Sequence, residues 1–188
     1  MKVDIPGMRT QAIILKKIPV REYDELVVCY TKDSGKQVYQ AKSILRPSSK
    51  QAGHLDILNL VDFSLVQKNS HPIITSSYCL DTFRDLKSSL PALAAAYFLL
   101  ECFDKLVFEG ESDPKLWDFL HSHLREYNRL ARLDSARLAR KGRADWPIVI
   151  KLTREDLLKV MGYDSTLPIE QLANACFKSL QFARRVLR

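Results

Sequence analysis

The apolar rhythm of this chain changes once, near position 80, and that change restricts the fold more than any single motif. Before it, β-branched and aromatic residues come in five short runs: Gln11 to Ile18, Leu26 to Thr31, Gln37 to Ala41, Ile57 to Gln67 and Pro72 to Cys79. Turn-forming phrases separate them, including Lys32-Asp33-Ser34-Gly35, Arg46-Pro47-Ser48-Ser49 and Lys68-Asn69-Ser70-His71-Pro72. The gaps leave no room for crossover helices, so the strands must pair antiparallel. A five-stranded sheet of about 75 residues removes its exposed edges most economically by closing into a small barrel.

After Leu80 the period becomes helical. Pro91 suits the first turn of a helix that Gly110 ends, with Leu93, Tyr97, Leu100, Asp104 and Val107 stepping around it. Ser112-Asp113-Pro114 opens a second helix whose apolar stripe is Leu116, Trp117, Leu120, Leu124 and Tyr127. Two further helices are expected at 153–161 and 168–187, divided by Gly162 and Pro168. The expected organisation is therefore α+β and multi-domain: a barrel over 1–80 and an all-α domain over 81–188. A flexible basic linker is expected at 131–150.

Lys and Arg number 29 against 22 Asp and Glu, a net charge of +7 that favours an anionic partner. Several function classes are disfavoured. No nucleophile elbow, Walker loop or dinucleotide-binding turn occurs, so neither an enzyme nor a cofactor is expected. Cys29, Cys79, Cys102 and Cys176 form no CxxC pair, and His121 and His123 are two apart on a helix, so no metal site is expected. Isolated cysteines, the lack of an apolar leader and a longest apolar run of only Ala92 to Leu100 lead to the expectation of a cytoplasmic protein. Glu101, in the most apolar helix, is expected to mark its solvent edge and pair with Lys105.

The informative feature is a basic connector between two expected strands. Lys36, Lys42, Arg46 and Lys50 step through it beside Ser48 and Ser49, residue types that contact phosphates. Lys16 and Lys17, with Arg9 and Arg21, could extend the patch across one face. Nucleic-acid binders of this kind add aromatic platforms. Of Tyr23, Tyr30 and Tyr39, Tyr30 reads as core and Tyr39 as the platform. Between Arg125 and Arg143 seven basic residues face two acids, which fits either a second phosphate surface or a solvated helix face.

Together these segments resemble the RecO family of bacterial recombination mediators. Thr10-Gln11-Ala12-Ile13-Ile14-Leu15 is similar to the family's opening strand, followed by Arg21-Glu22-Tyr23-Asp24-Glu25-Leu26 and Tyr30-Thr31-Lys32-Asp33-Ser34-Gly35-Lys36. Ala41-Lys42-Ser43-Ile44-Leu45-Arg46-Pro47-Ser48-Ser49-Lys50 resembles a family loop of the form A-K-G-x-R-R-x-x-S-R. Ala96-Tyr97-Phe98-Leu99-Leu100-Glu101, Glu109-Gly110 and Leu157-Leu158-Lys159-Val160-Met161-Gly162-Tyr163 continue the likeness to about 163.

The resemblance implies an N-terminal OB-fold barrel and a helical domain, acting in recombinational DNA repair in association with the nucleoid. It implies non-catalytic binding of single- and double-stranded DNA, annealing of complementary strands and recombinase loading. RecR and the C-terminal tail of the single-stranded DNA-binding protein are the implied partners. Carried onto this chain, the DNA contacts are Lys36, Lys42, Arg46, Ser49 and Lys50. Three departures stand out: Ser43 replaces the family's usual glycine and the loop is less cationic; the four-cysteine zinc module found after the Gly-Tyr segment of many members is not expected; and the helical domain looks shortened. Two other readings of the residues stay open, a repair or replication adaptor with weak or no DNA binding and an RNA-binding OB-fold protein.

Overall fold

A computed structural model describes residues 8–68, 71–136, 144–174 and 176–187. Five strands come first: β1 (Met8–Pro19), β2 (Glu25–Thr31), β3 (Gly35–Ala41), β4 (Leu60–Val66) and β5 (Ile73–Asp81). They close into a barrel in the order β1-β2-β3-β5-β4, with β4 returning to β1. That order, with its one parallel junction, is the OB fold. All pairings are antiparallel except β3 with β5, which meet in parallel at Gln40 and Ile73.

Period-two alternation fills the barrel. Ala12 and Ile14, Val27 and Cys29, Tyr39 and Ala41, and Val61, Phe63 and Leu65 point inward from successive strands. The ring of Tyr39 meets that of Phe63 edge-on, 5.4 Å between centroids. β1 is long enough to serve both β2 and β4 because its register shifts between Ile14 and Lys16, a bulge that bends the strand. Within the connection between β3 and β4, Ile44 and Leu55 drop into the barrel core and anchor it.

The chain divides into two compact units. One takes in the barrel up to Thr82 together with Val107–Pro114; the other takes in Phe83–Leu106 and the chain from Lys115. In the barrel unit, the 107–114 segment lies along β3: Gly110 N–H donates to Lys36 O at 3.0 Å, and the Tyr30 hydroxyl donates to Asp113 O at 3.3 Å. Gly35 faces it with φ +66°, where a Cβ would stand 1.8 Å from Glu111 O.

The helical unit holds α1 (Arg84–Ser88), α2 (Leu90–Leu106), α3 (Pro114–Ser135), α4 (Trp146–Val160), α5 (Ile169–Leu172) and α6 (Lys178–Val186). α1 was not foreseen, and the single helix expected at 168–187 is divided in two. α4 starts earlier than expected because Asp145 caps it, accepting from Ile148 N–H at 3.2 Å, and Pro147 fits its first turn. The ends of the expected 131–150 linker are therefore helical, and 137–143 lies outside the described residues. Buried Tyr127 and Thr153 join α3 to α4 through a 2.5 Å hydrogen bond between their hydroxyls. No helix among the described residues is long and apolar enough to cross a membrane.

Glu101 does more than the expected surface pairing. Its carboxylate lies 3.2 Å from Lys105, but it also accepts from the backbone N–H of Lys178 at 3.1 Å and of Ser179 at 2.8 Å. The Ser179 hydroxyl adds a 2.6 Å bond. Glu101 on α2 thus caps the start of α6, where helix amides lack partners. Partial burial pushes its pKa up, but the hydrogen bonds from Ser179, Lys178 and Lys105 outweigh this and hold it below the ordinary glutamate value.

Two stability predictions follow from these contacts. Gly35→Ala combines left-handed strain with a backbone clash and lowers stability by at least about 2 kcal/mol, read as a fall in the urea midpoint. For Glu101, a depressed native pKa adds stability above the unfolded value of about 4.5, lost as pH falls through the native value. The urea midpoint of the wild type therefore drops more steeply below about pH 4.5 than that of Glu101→Gln, which is less stable near neutrality.

Candidate nucleic-acid interface

Three connections of the barrel unit converge: the β1–β2 turn at 20–24, the start of the β3–β4 connection at 42–46, and the β4–β5 connection after Val66. Closure places them together. Gln40 N–H donates to Pro72 O at 2.9 Å, seating the start of β5 against the end of β3. Leu45 N–H donates to Tyr23 O at 3.1 Å, tying the 42–46 segment to the β1–β2 turn.

Asp24 is the rivet. Its Oδ1 accepts from Ser43 N–H at 2.7 Å and its Oδ2 from Gln40 Nε2 at 3.3 Å. Its own carbonyl accepts from Val20 N–H at 3.0 Å, closing the β1–β2 turn. Ser43 has φ 52°, a left-handed conformation that glycine adopts without strain, and the Asp24 bond offsets part of that cost. The family resemblance placed glycine at this position, and the backbone supplies the reason.

On this frame sit Arg21, Lys42, Arg46 and Lys68, all exposed. The Lys68 ammonium lies close to that of Lys42, and this like charge, with Arg21 adding a further one, holds its pKa below the ordinary lysine value. The Arg46 guanidinium lies over the Tyr23 ring, 5.2 Å from its centroid. Among the described residues none of these four cations is ion-paired to a carboxylate. They outnumber the adjacent Glu22 and Asp24, and Asp24 is engaged in holding the loops. Neighbouring cations repel, so an anion set between them is attracted to several at once.

The expected patch is thus partly assembled. Lys42, Arg46 and Arg21 belong to the cluster. Ser49 follows closely, its N–H donating to Arg46 O at 2.9 Å, and exposed Lys50 comes next. Lys36 does not join: it lies in β3 beside the 107–114 segment and is only 8% exposed. Lys17 is committed to Glu25, at 2.9 Å, and Arg9 to Asp62, at 2.6 Å. Lys16 is exposed on β1.

The aromatic expectation is corrected as well. Tyr39 is 2% exposed inside the barrel and offers no platform, whereas Tyr23 is 38% exposed beside the cations. Lys68 was missed because its phrase reads simply as a turn. The missing signal was topological: in a closed barrel of this order the β1–β2 and β4–β5 loops become neighbours, so basic residues in both should be counted together. Among the described residues of the Arg125–Arg143 run, Arg129 forms a bidentate pair with Glu126, at 2.7 and 2.6 Å, and Arg125 and Arg132 are exposed. No three His, Cys, Asp or Glu side chains among the described residues are placed to hold a metal.

If Asp24 is the rivet, Asp24→Ala lowers stability by about 1–2 kcal/mol in urea titrations. Hydrogen exchange at the Ser43 amide then speeds up by at least about tenfold, while amides in the centre of β2 keep their protection.

Comparison with known proteins agrees with this architecture. The family described as recombination protein O N terminal matches residues 6–83. A DNA repair protein RecO from Roseiflexus sp. (strain RS-1) is 33% identical over 127 residues, covering 67% of this chain and 44% of that protein. One from Dehalococcoides mccartyi (strain ATCC BAA-2100 / JCM 16839 / KCTC 5957 / BAV1) is 28% identical over 173 residues, covering 92% and 62%. One from Desulforudis audaxviator (strain MP104C) is 30% identical over 117 residues, covering 62% and 47%. The chain spans 44% to 62% of the length of these relatives.

Proposed function

Because the chain belongs to the RecO family through its N-terminal module, we propose that it is a non-catalytic DNA-binding protein of recombinational repair. Its barrel grips the phosphate backbone at Arg21, Lys42, Arg46 and Lys68, with Ser49 and Lys50 flanking. One observation carries this: cations from three separate connections are held together on a fixed frame without a carboxylate partner among the described residues. Such an arrangement raises the energy of the unliganded protein slightly and lowers it when a polyanion arrives.

Phosphate neutralisation is sequence-independent, so both single- and double-stranded DNA can enter. It also reduces repulsion between two strands brought to the same surface, which promotes annealing without a covalent step. Recombinase loading, with RecR and the tail of the single-stranded DNA-binding protein as partners, completes the proposed role on the strength of the family relationship.

Binding to a short oligonucleotide weakens with salt between about 50 and 200 mM, with a log–log slope of about −3 to −5 for four to six phosphate contacts. The double variant Lys42→Ala, Lys68→Ala reduces the steepness of that slope by about 2. Both positions are exposed, so its urea midpoint stays near the wild type. Fluorescence anisotropy measures each constant. A flat wild-type slope overturns DNA binding, and an unchanged slope in the double variant overturns the site.

A further inference from the structure

We propose that the Tyr23 ring, backed by Arg46, is a base-stacking platform that makes this site favour single strands over duplex. The inference rests on the DNA-binding reading above and adds to it the residue that discriminates between the two forms.

Tyr23 is built to hold still. Its carbonyl accepts from Leu45 N–H at 3.1 Å, and the turn around it is closed by the Val20 N–H bond to Asp24 O at 3.0 Å. The Arg46 guanidinium lies over the ring, 5.2 Å from the centroid, and adds cation–π attraction. An aromatic side chain ordered in this way has already lost much of the rotamer freedom that binding would otherwise remove.

Tyr30 and Tyr39 serve packing: Tyr30 is 0% and Tyr39 2% exposed, against 38% for Tyr23. Exposure alone marks no site, since Tyr78 is more exposed still. Tyr23 differs in lying among the cations that would hold the phosphates on either side of a base: Arg21 is two residues before it, and Lys42 and Arg46 belong to the segment bonded to its backbone. A strand tracking those cations passes over the ring.

The discrimination is physical. A single strand turns out a base at little cost, and stacking on an aromatic ring is then gained whichever base it is. A duplex keeps its bases stacked inside and offers the ring only sugar and phosphate, unless it spends energy to unstack a pair. Duplex should therefore bind through the cations alone, whereas a single strand binds through the cations and the ring.

The test uses the full chain, an oligothymidine, an abasic strand of equal length and a duplex of equal length, each titrated at several salt concentrations. Tyr23→Ala should weaken oligothymidine binding roughly tenfold and leave abasic and duplex binding within about twofold, with the salt slope unchanged. Tyr23→Phe keeps the ring face and should restore most of the oligothymidine affinity. If Tyr23→Ala binds oligothymidine as tightly as the wild type, the platform is overturned while DNA binding stands. If it weakens all three ligands alike and flattens the slope, Tyr23 is only a post for the loops, and the platform is again overturned. A wild type with no salt-dependent binding to any ligand sinks the DNA-binding reading itself.

Discussion

The closure of the barrel between β3 and β5 is the constraint on which the site depends. It is a slender junction: one parallel register pair, Gln40 with Ile73, and a bond from Gln40 N–H to Pro72 O at 2.9 Å. Every other strand pairing is antiparallel, and most are several residues long. Yet this junction brings the β4–β5 connection beside the end of β3, and hence Lys68 beside Lys42. Without it Lys68 would sit on a separate hairpin from Arg21, Lys42 and Arg46, which the Asp24 and Tyr23 bonds hold together.

The unit uses its carboxylates in two different ways. Asp62 and Glu25 neutralise Arg9 and Lys17 on the barrel strands. Asp24 instead spends its oxygens on the Ser43 backbone N–H and the Gln40 side-chain amide, fixing loop geometry among four cations. A protein evolved only for stability would pair such charges. Local conflict that the rest of the fold tolerates is what a functional surface looks like. The helical unit shows the contrary use of an acid: Glu101 accepts hydrogen bonds at the start of α6 and is spent on holding two helices together.

Much of the barrel was legible because alternation is a local property. Residues two apart share a face whatever their neighbours do, so Val27 with Cys29 and Val61 with Phe63 declare an inner side by themselves. The helix ends were less legible. α4 begins at an aspartate cap and a proline that lie in a charged stretch with no apolar period, and α6 owes its start to a carboxylate 77 positions earlier in the chain.

The same division runs through the site. Composition and spacing alone determined that the chain carries a five-stranded barrel and then helices, and that a cationic connector containing Lys42 and Arg46 joins two of the strands. Those facts follow from short-range periodicity and from the charge of individual residues. Tertiary structure alone decided that Lys36 is enclosed and that Tyr39 is core while Tyr23 is not. It also decided that Lys68 lies beside Lys42 and near Arg21, 47 residues earlier in the chain. The reason is that burial and like-charge proximity are set by which segments meet when the barrel closes, and a one-dimensional pattern does not encode that distance.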